Sequence, residues 1–179
     1  MARIAPVQEV DLQPSVKVAF ERHIHGYEDR ITNTKATLGH SLLAFEAYMQ
    51  WYPLYQEIEK ILGKRLAYLY AYSISEASGC SLCAAFFRKI IIDAGERTDQ
   101  LMLTASQKNV LEFGASVARY QGNIANHVYD AVAVNYSKAD MVVLIAFAGQ
   151  MIATNVFNNV VETDVDQYLE KYQTVLKYR

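Results

Sequence analysis

Apolar positions along the chain recur with the three-to-four-residue spacing of helices, and polar caps punctuate them. Thr104 and Gln107 form a T-x-x-Q capping box ahead of Val110, Leu111, Val117 and Ala118, with Gly122 beyond. Ser137 and Asp140 give a similar start signal before Met141, Leu144, Ile145, Ala148, Met151 and Ile152. A third helix is predicted over Cys80 to Ala94, closed by Gly95, and a fourth over Arg65 to Ser75. Ser41 to Lys60 supplies one or two more around Pro53, and Phe20 to Tyr27 and Asp164 to Tyr172 complete the set. Val128 to Tyr136 alternates as a strand would, but the helical signals around it favour helix. The chain therefore reads as all-α.

Punctuation agrees with long helices. The three prolines stand at 6, 14 and 53, which leaves positions 54 to 179 free of a residue that removes a helix donor. The eight glycines serve as candidate punctuation, and several fall where apolar segments end. No linker, low-complexity tract or internal repeat divides the 179 residues, so we expect one domain over 1–179.

Composition narrows the function classes. Apolar residues make up 52% and charged residues 20%, against roughly 25% charged in an average domain. That excess predicts that part of the surface is covered by a partner or a second subunit. A net charge of −2 argues against a nucleic-acid partner, which requires a basic face. The N-terminus lacks a basic start followed by an apolar run, so no secretory signal is read there. The most apolar window, Met141 to Ala153, covers 13 residues, short of the ~20 that a membrane span needs. It reads as a buried helix, and the expected address is the cytoplasm.

The chemistry concentrates in SISEASGCSLCAAFFRKIIIDAGE, residues 73 to 96, which holds both cysteines of the chain. Gly79 breaks one helix, and Cys80 and Cys83 then fall in the first turn of the next. Three residues apart, their sulfurs share a helix face and can close a disulfide. Free N–H groups and the dipole at a helix start favour thiolate, the nucleophilic form. A second thiol can then resolve a sulfenic acid or mixed disulfide. Glu76, four residues before Cys80, is placed to fold over the pair and handle a proton. The alternatives are buried structural thiols or a zinc site, and zinc needs two further ligands. His23 and His25 face apart on a helix and His40 and His127 are isolated, so no metal is expected. No flavin or haem signal is present.

Taken together, these residues resemble the carboxymuconolactone decarboxylase superfamily, specifically its alkylhydroperoxidase-like branch. Glu76, Cys80 and Cys83 match E-x-x-x-C-x-x-C, followed by FFRKIIIDAGE, with FAGQMIATNVFNNVVETDVD over 147 to 166 and the run-in WYPLYQEIEKILGKRLAYLYAYSISEASG. The likeness covers about residues 20 to 170. It implies an all-helical fold, assembly as trimers or hexamers, and peroxide reduction or disulfide exchange through the cysteine pair, recharged by an external dithiol or thiol protein. Family members with a mapped proton relay carry a His three or four residues after the second cysteine, where this chain has Phe86 and Phe87. Some place a Glu about twelve residues before the first, where this chain has Tyr68. His127 is the candidate to stand in for the missing imidazole. Exposure at the helix start favours Cys80 as the attacking sulfur, while the resembled enzymes imply Cys83. Two rivals remain: a lactone decarboxylase, which does not depend on a cysteine pair, and a non-catalytic helical assembly module. The tyrosines near 48–55 and 68–72 read as core or subunit contacts, and Asn155, Asn158 and Asn159 as structural. Glu162, Asp164, Asp166, Glu170 and Lys171 read as a solvated face.

Overall fold

The computed structural model describes residues 1–27 and 29–173, and among these there is no strand. Nine α-helices follow in order: α1 Pro14–Tyr27, α2 Asn33–Leu38, α3 Leu42–Met49, α4 Trp51–Leu62, α5 Lys64–Ala77, α6 Ser81–Asp93, α7 Ala105–Arg119, α8 Asn126–Ala133 and α9 Lys138–Val161. Short 3₁₀ segments occupy Glu9–Asp11 and Gln167–Tyr172.

The two start signals form as read. Thr104 accepts from the Gln107 N–H while the Gln107 side chain accepts from Thr104 N–H, and Ser137 and Asp140 repeat the arrangement on α9. Of Val128 to Tyr136, the part up to Ala133 is helical, within α8, and the rest turns toward α9. Ser41 to Lys60 divides into α3 and α4. Pro53 does not interrupt α4 because it lies in the first turn, where its missing N–H has no intrahelical partner to lose.

Several boundaries differ from the sequence reading. α1 starts at Pro14, six residues before Phe20, with the proline opening the helix rather than preceding it. Asp164 to Tyr172 is not an α-helix. Only Gln167–Tyr172 turns, as 3₁₀, after Glu162 ends α9 in the left-handed conformation. Gly26, Gly114 and Gly149 lie inside the helices predicted over them and need another reason to be glycine. At Gly114 the reason is proximity: a Cβ there would stand 2.4 Å from Cε2 of Tyr70.

α5 is the axis of the core. Leu66, Ala67, Leu69, Tyr70, Ala71 and Ile74 are buried, and α4, α6, α7 and α9 pack around them. The fully buried Tyr70 hydroxyl donates to the Leu144 carbonyl at 3.1 Å, pinning α5 to α9. α9 runs 24 residues, longer than the 13-residue window suggested, and by length and composition it is apolar enough to cross a membrane. Its inner face nevertheless belongs to the core: Met141, Leu144, Phe147, Ala148 and Met151 are buried with the α5 residues. Opposite them Val142, Ile145, Val156 and Val160 are exposed. A second layer, α1 to α3, forms its own apolar cluster around Phe20, Leu38 and Phe45, with Phe157 of α9 packed against it.

Candidate functional site

The cysteine turn is built by Gly79, whose φ of +64° reverses the chain after α5. The Cys80 N–H then donates to the Ser75 carbonyl at 3.1 Å, and Cys80 becomes the N-cap of α6. Its sulfur accepts the Cys83 N–H at 3.2 Å, taking a donor that the helix itself cannot satisfy. Cys80 and Cys83 are closed as a disulfide, with Cα atoms 5.3 Å apart. Leu169 and Tyr172 of the 3₁₀ segment cover the pair, and the Arg88 guanidinium holds that segment by donating to the Tyr172 carbonyl at 2.5 Å.

This covering overturns the exposure argument for Cys80, which is 1% exposed against 7% for Cys83. Cys83 is the sulfur that lines a cavity of about 120 Å³, between α6, α9 and the α1–α3 layer. The walls are largely apolar: Leu38, Trp51, Phe86, Phe87, Met151 and Leu169 contribute. The two phenylalanines at the histidine-relay positions thus face the chamber as hydrophobic wall.

Asn158 of α9, 5% exposed, directs its Nδ2 to Cys83 Sγ at 3.3 Å. The amide is fixed by Thr34 of α2, whose hydroxyl donates to Asn158 Oδ1 at 2.9 Å. With the oxygen so engaged, the NH₂ group is the part left to meet sulfur. Asn158 therefore lies at the site rather than in a purely structural position. Asn159 does cap a neighbouring turn, donating to the Ser78 carbonyl at 3.2 Å. Asn155 is fully buried, and neither of its amide atoms has a partner among the described residues.

A charged cluster closes the polar side of the chamber. Lys35, 6% exposed, donates from Nζ to Asp29 Oδ2 at 2.5 Å and to the Arg30 carbonyl at 2.7 Å. The Tyr52 hydroxyl also donates to Asp29 Oδ2, and His23 Nε2 stands 3.8 Å from the same oxygen. Burial opposes charge on Asp29, but the His23, Lys35 and Tyr52 groups around it outweigh that and hold its carboxyl well below the usual carboxylate range. Burial pushes the Lys35 ammonium down, against the pull of Asp29. Burial likewise pushes the Tyr52 phenol up, and Asp29 adds to the rise. Asp166, read from sequence as solvated, lines this chamber too. Burial raises its carboxyl, and Oδ1 accepts the Asn33 N–H at 2.9 Å.

The remaining sequence candidates lie elsewhere. Glu76 pairs with Arg88 at 2.8 Å, its side chain 47% exposed, and is not among the chamber's lining residues. His127 is exposed on α8, which packs on α7, and also stands outside the lining. Tyr68 donates to Glu96 Oε1 at 2.9 Å; burial first and then that carboxylate push its phenol up to about 12. Among the described residues no three His, Cys, Asp or Glu side chains converge as a metal ion would require. Lys35, Asp29 and Thr34 were missed by sequence reasoning, and no local signal marks them. Tertiary contacts bring them to the chamber that Cys83 lines, with Thr34 bonded to Asn158 of α9.

The fold is that of the alkylhydroperoxidase AhpD core. Nothing in the collection of family models, and no curated protein, matches the chain. Among solved structures, a peroxidase-related protein from Ralstonia eutropha described by that core superposes with TM-score 0.70, at 15% identity over 93% of this chain and 94% of its own. A peroxidase-related protein from Silicibacter sp. gives 0.67 and 13%, over 90% and 91%. The debrominase Bmp8, as a cysteine-to-alanine variant in complex with 2,3,4-tribromopyrrole, gives 0.77 and 15% over 94% of each chain.

Proposed function

We propose that this chain is a thiol oxidoreductase that reduces hydroperoxides through Cys80 and Cys83. What carries the reading is the position of Cys83, whose sulfur lines an apolar chamber, meets the Asn158 amide at 3.3 Å and has the Cys80 sulfur within bonding reach. In the reduced protein the Cys83 thiolate attacks the terminal oxygen of ROOH. The S–O bond forms as the O–O bond breaks, giving a sulfenic acid and RO⁻. The Cys80 thiol displaces water from that sulfenic sulfur, and an external dithiol returns the pair to two thiols. Disulfide exchange with a thiol protein uses the same pair. A cytoplasmic setting, where dithiols keep such pairs reduced, goes with this proposal. So does a homo-oligomer, trimer or hexamer, with the exposed valines of α9 as its support.

One observation favours a second reading. The chamber, at about 120 Å³ and walled by Trp51, Phe86 and Phe87, is somewhat smaller than the dry apolar cavity of about 150 Å³ that takes benzene, and its aromatic walls suit a small flat ring. With the debrominase among the structural neighbours, reductive removal of bromide from a bromopyrrole is the rival chemistry. Two thiols and one C–Br bond would give a C–H bond, a disulfide and HBr.

The test starts from the reduced protein, mixed separately with tert-butyl hydroperoxide and with tribromopyrrole. We expect two thiols lost per alcohol formed, with an intramolecular bond in the 73–96 peptide by mass spectrometry. Cys80→Ser should accumulate a dimedone-reactive sulfenic acid on Cys83, and Cys83→Ser should be inert. Bromide release without peroxide consumption would replace the first reading by the second, and inert thiols would remove both.

A further inference from the structure

Breaking an O–O bond with a thiolate leaves an alkoxide, and an alkoxide departs slowly from an apolar chamber unless it receives a proton. Phe86 and Phe87 offer none. Lys35 is the one cationic side chain among the described residues that line the chamber. Its ammonium has three N–H donors. One goes to Asp29 Oδ2 and one to the Arg30 carbonyl, and no acceptor among the described residues takes the third. α2 also ties this lysine to the sulfur, because the adjacent Thr34 fixes the Asn158 amide that meets Cys83. We infer that Lys35 is the catalytic acid of the peroxide step, donating its free N–H proton to the leaving oxygen of an organic hydroperoxide held between Cys83 and α2.

This inference rests on the hydroperoxide reading above. The Cys83 thiolate takes the terminal oxygen, the O–O electron pair goes to RO⁻, and RO⁻ takes the Lys35 proton to leave as ROH. Cys83 is oxidised, the hydroperoxide is reduced, and the lysine recovers its proton from solvent.

The surroundings suit that role. Asp29 stays ionised, so it orients Lys35 and has no proton of its own to give. The Tyr52 and Tyr168 phenols are pushed up by burial, the latter to about 12, which makes them poorer donors near neutral pH. Lys35 is pushed the other way, toward release of its proton, by the same burial, with Asp29 and Asp166 opposing and Arg30 assisting.

The experiment varies the leaving group. tert-Butyl hydroperoxide must release an alkoxide and depends on an acid, whereas peracetic acid releases acetate, which needs none. Single-turnover thiol oxidation is followed with both oxidants in the wild type, Lys35→Met, Lys35→Arg and the double variant Asp29→Asn/Lys35→Met. The double variant removes both charges together, so that neither is left buried alone. General acids typically contribute 10² to 10⁴-fold, so Lys35→Met and the double variant should lose about 10²-fold or more with tert-butyl hydroperoxide and less than about threefold with peracetic acid. Lys35→Arg should lose nearly as much as Lys35→Met, because a guanidinium keeps its proton. Equal losses with the two oxidants in the double variant would reduce Lys35 to a packing role. A fully active Lys35→Arg would show that charge alone suffices, which also overturns the acid assignment. A wild type inert to both oxidants would instead sink the hydroperoxide reading on which the inference stands.

Discussion

Asn158→Leu isolates what the amide does for the cysteine. Leucine keeps the branched four-atom shape of asparagine, though its methyl groups are bulkier, and removes the one side-chain N–H that meets Cys83 Sγ, at 3.3 Å. At 5% exposure, water does not readily replace it. A hydrogen bond to a charged group is worth ~1.5–3 kcal/mol, and 1.4 kcal/mol is tenfold in an equilibrium. The thiolate-to-thiol ratio of Cys83 at a given pH should therefore fall roughly 10- to 100-fold. The substitution also strands the Thr34 hydroxyl, so Thr34→Val/Asn158→Leu serves as the second variant, with both partners made apolar. The assay is the rate of iodoacetamide alkylation of Cys83 in a Cys80→Ser background, measured from pH 5 to 10. Expected is a profile displaced to higher pH in both variants, merging with the parent's where every thiol is ionised. Superimposable profiles in the parent and the double variant would refute the argument that the amide stabilises the thiolate.

Three further outcomes follow from other parts of the molecule. Asp29 has a depressed carboxyl in the folded state, so its contribution to stability is present above the unfolded value of about 4 and is lost as pH falls below it. The urea midpoint should drop more between pH 6 and pH 3 in the wild type than in Asp29→Asn, and parallel drops would contradict this. Gly114→Ala puts a methyl group 2.4 Å from the ring of the fully buried Tyr70, and calorimetry should show a loss of about 1–3 kcal/mol. Val156→Glu/Val160→Glu, on the exposed face of α9, should shift light scattering from oligomer toward monomer, and a wild type that is already monomeric at micromolar concentration would end the assembly proposal.

Sequence and structure agree best where information is local. The capping boxes at Thr104 and Ser137 fix the starts of α7 and α9 with groups three residues apart, and the apolar spacing behind them marks most of the buried face, with Ile145 turned outward as the exception. The cysteine turn is legible for the same reason, since Gly79, Cys80 and Cys83 are neighbours in the chain. The start of the N-terminal layer is harder to read because Pro14 looks like an interruption, while it opens α1. The site splits along the same line. Asn158 is 75 residues from Cys83, and Thr34 is 124 from Asn158. Only the packed core decides that they meet, and no periodicity encodes it. Lys35 also looks like an ordinary surface lysine until α2 is laid against the chamber.

The 3₁₀ segment over the cysteines has a kinetic meaning. On the hydroperoxide reading proposed above, a small hydroperoxide would reach Cys83 through the chamber, whereas a protein dithiol would have to approach a pair that Leu169 and Tyr172 cover. Recharging by such a partner then requires the segment to lift, against the Arg88 to Tyr172 hydrogen bond at 2.5 Å. On that reading oxidation and recharging would use different doors, one through the chamber and one beneath the 3₁₀ segment. We expect the recharging rate to climb with protein-dithiol concentration and then level off at the rate of lifting, while a compact reductant such as dithiothreitol shows no plateau. Arg88→Met should raise that ceiling, and a strictly linear dependence on protein dithiol in the wild type would mean that the door stands open.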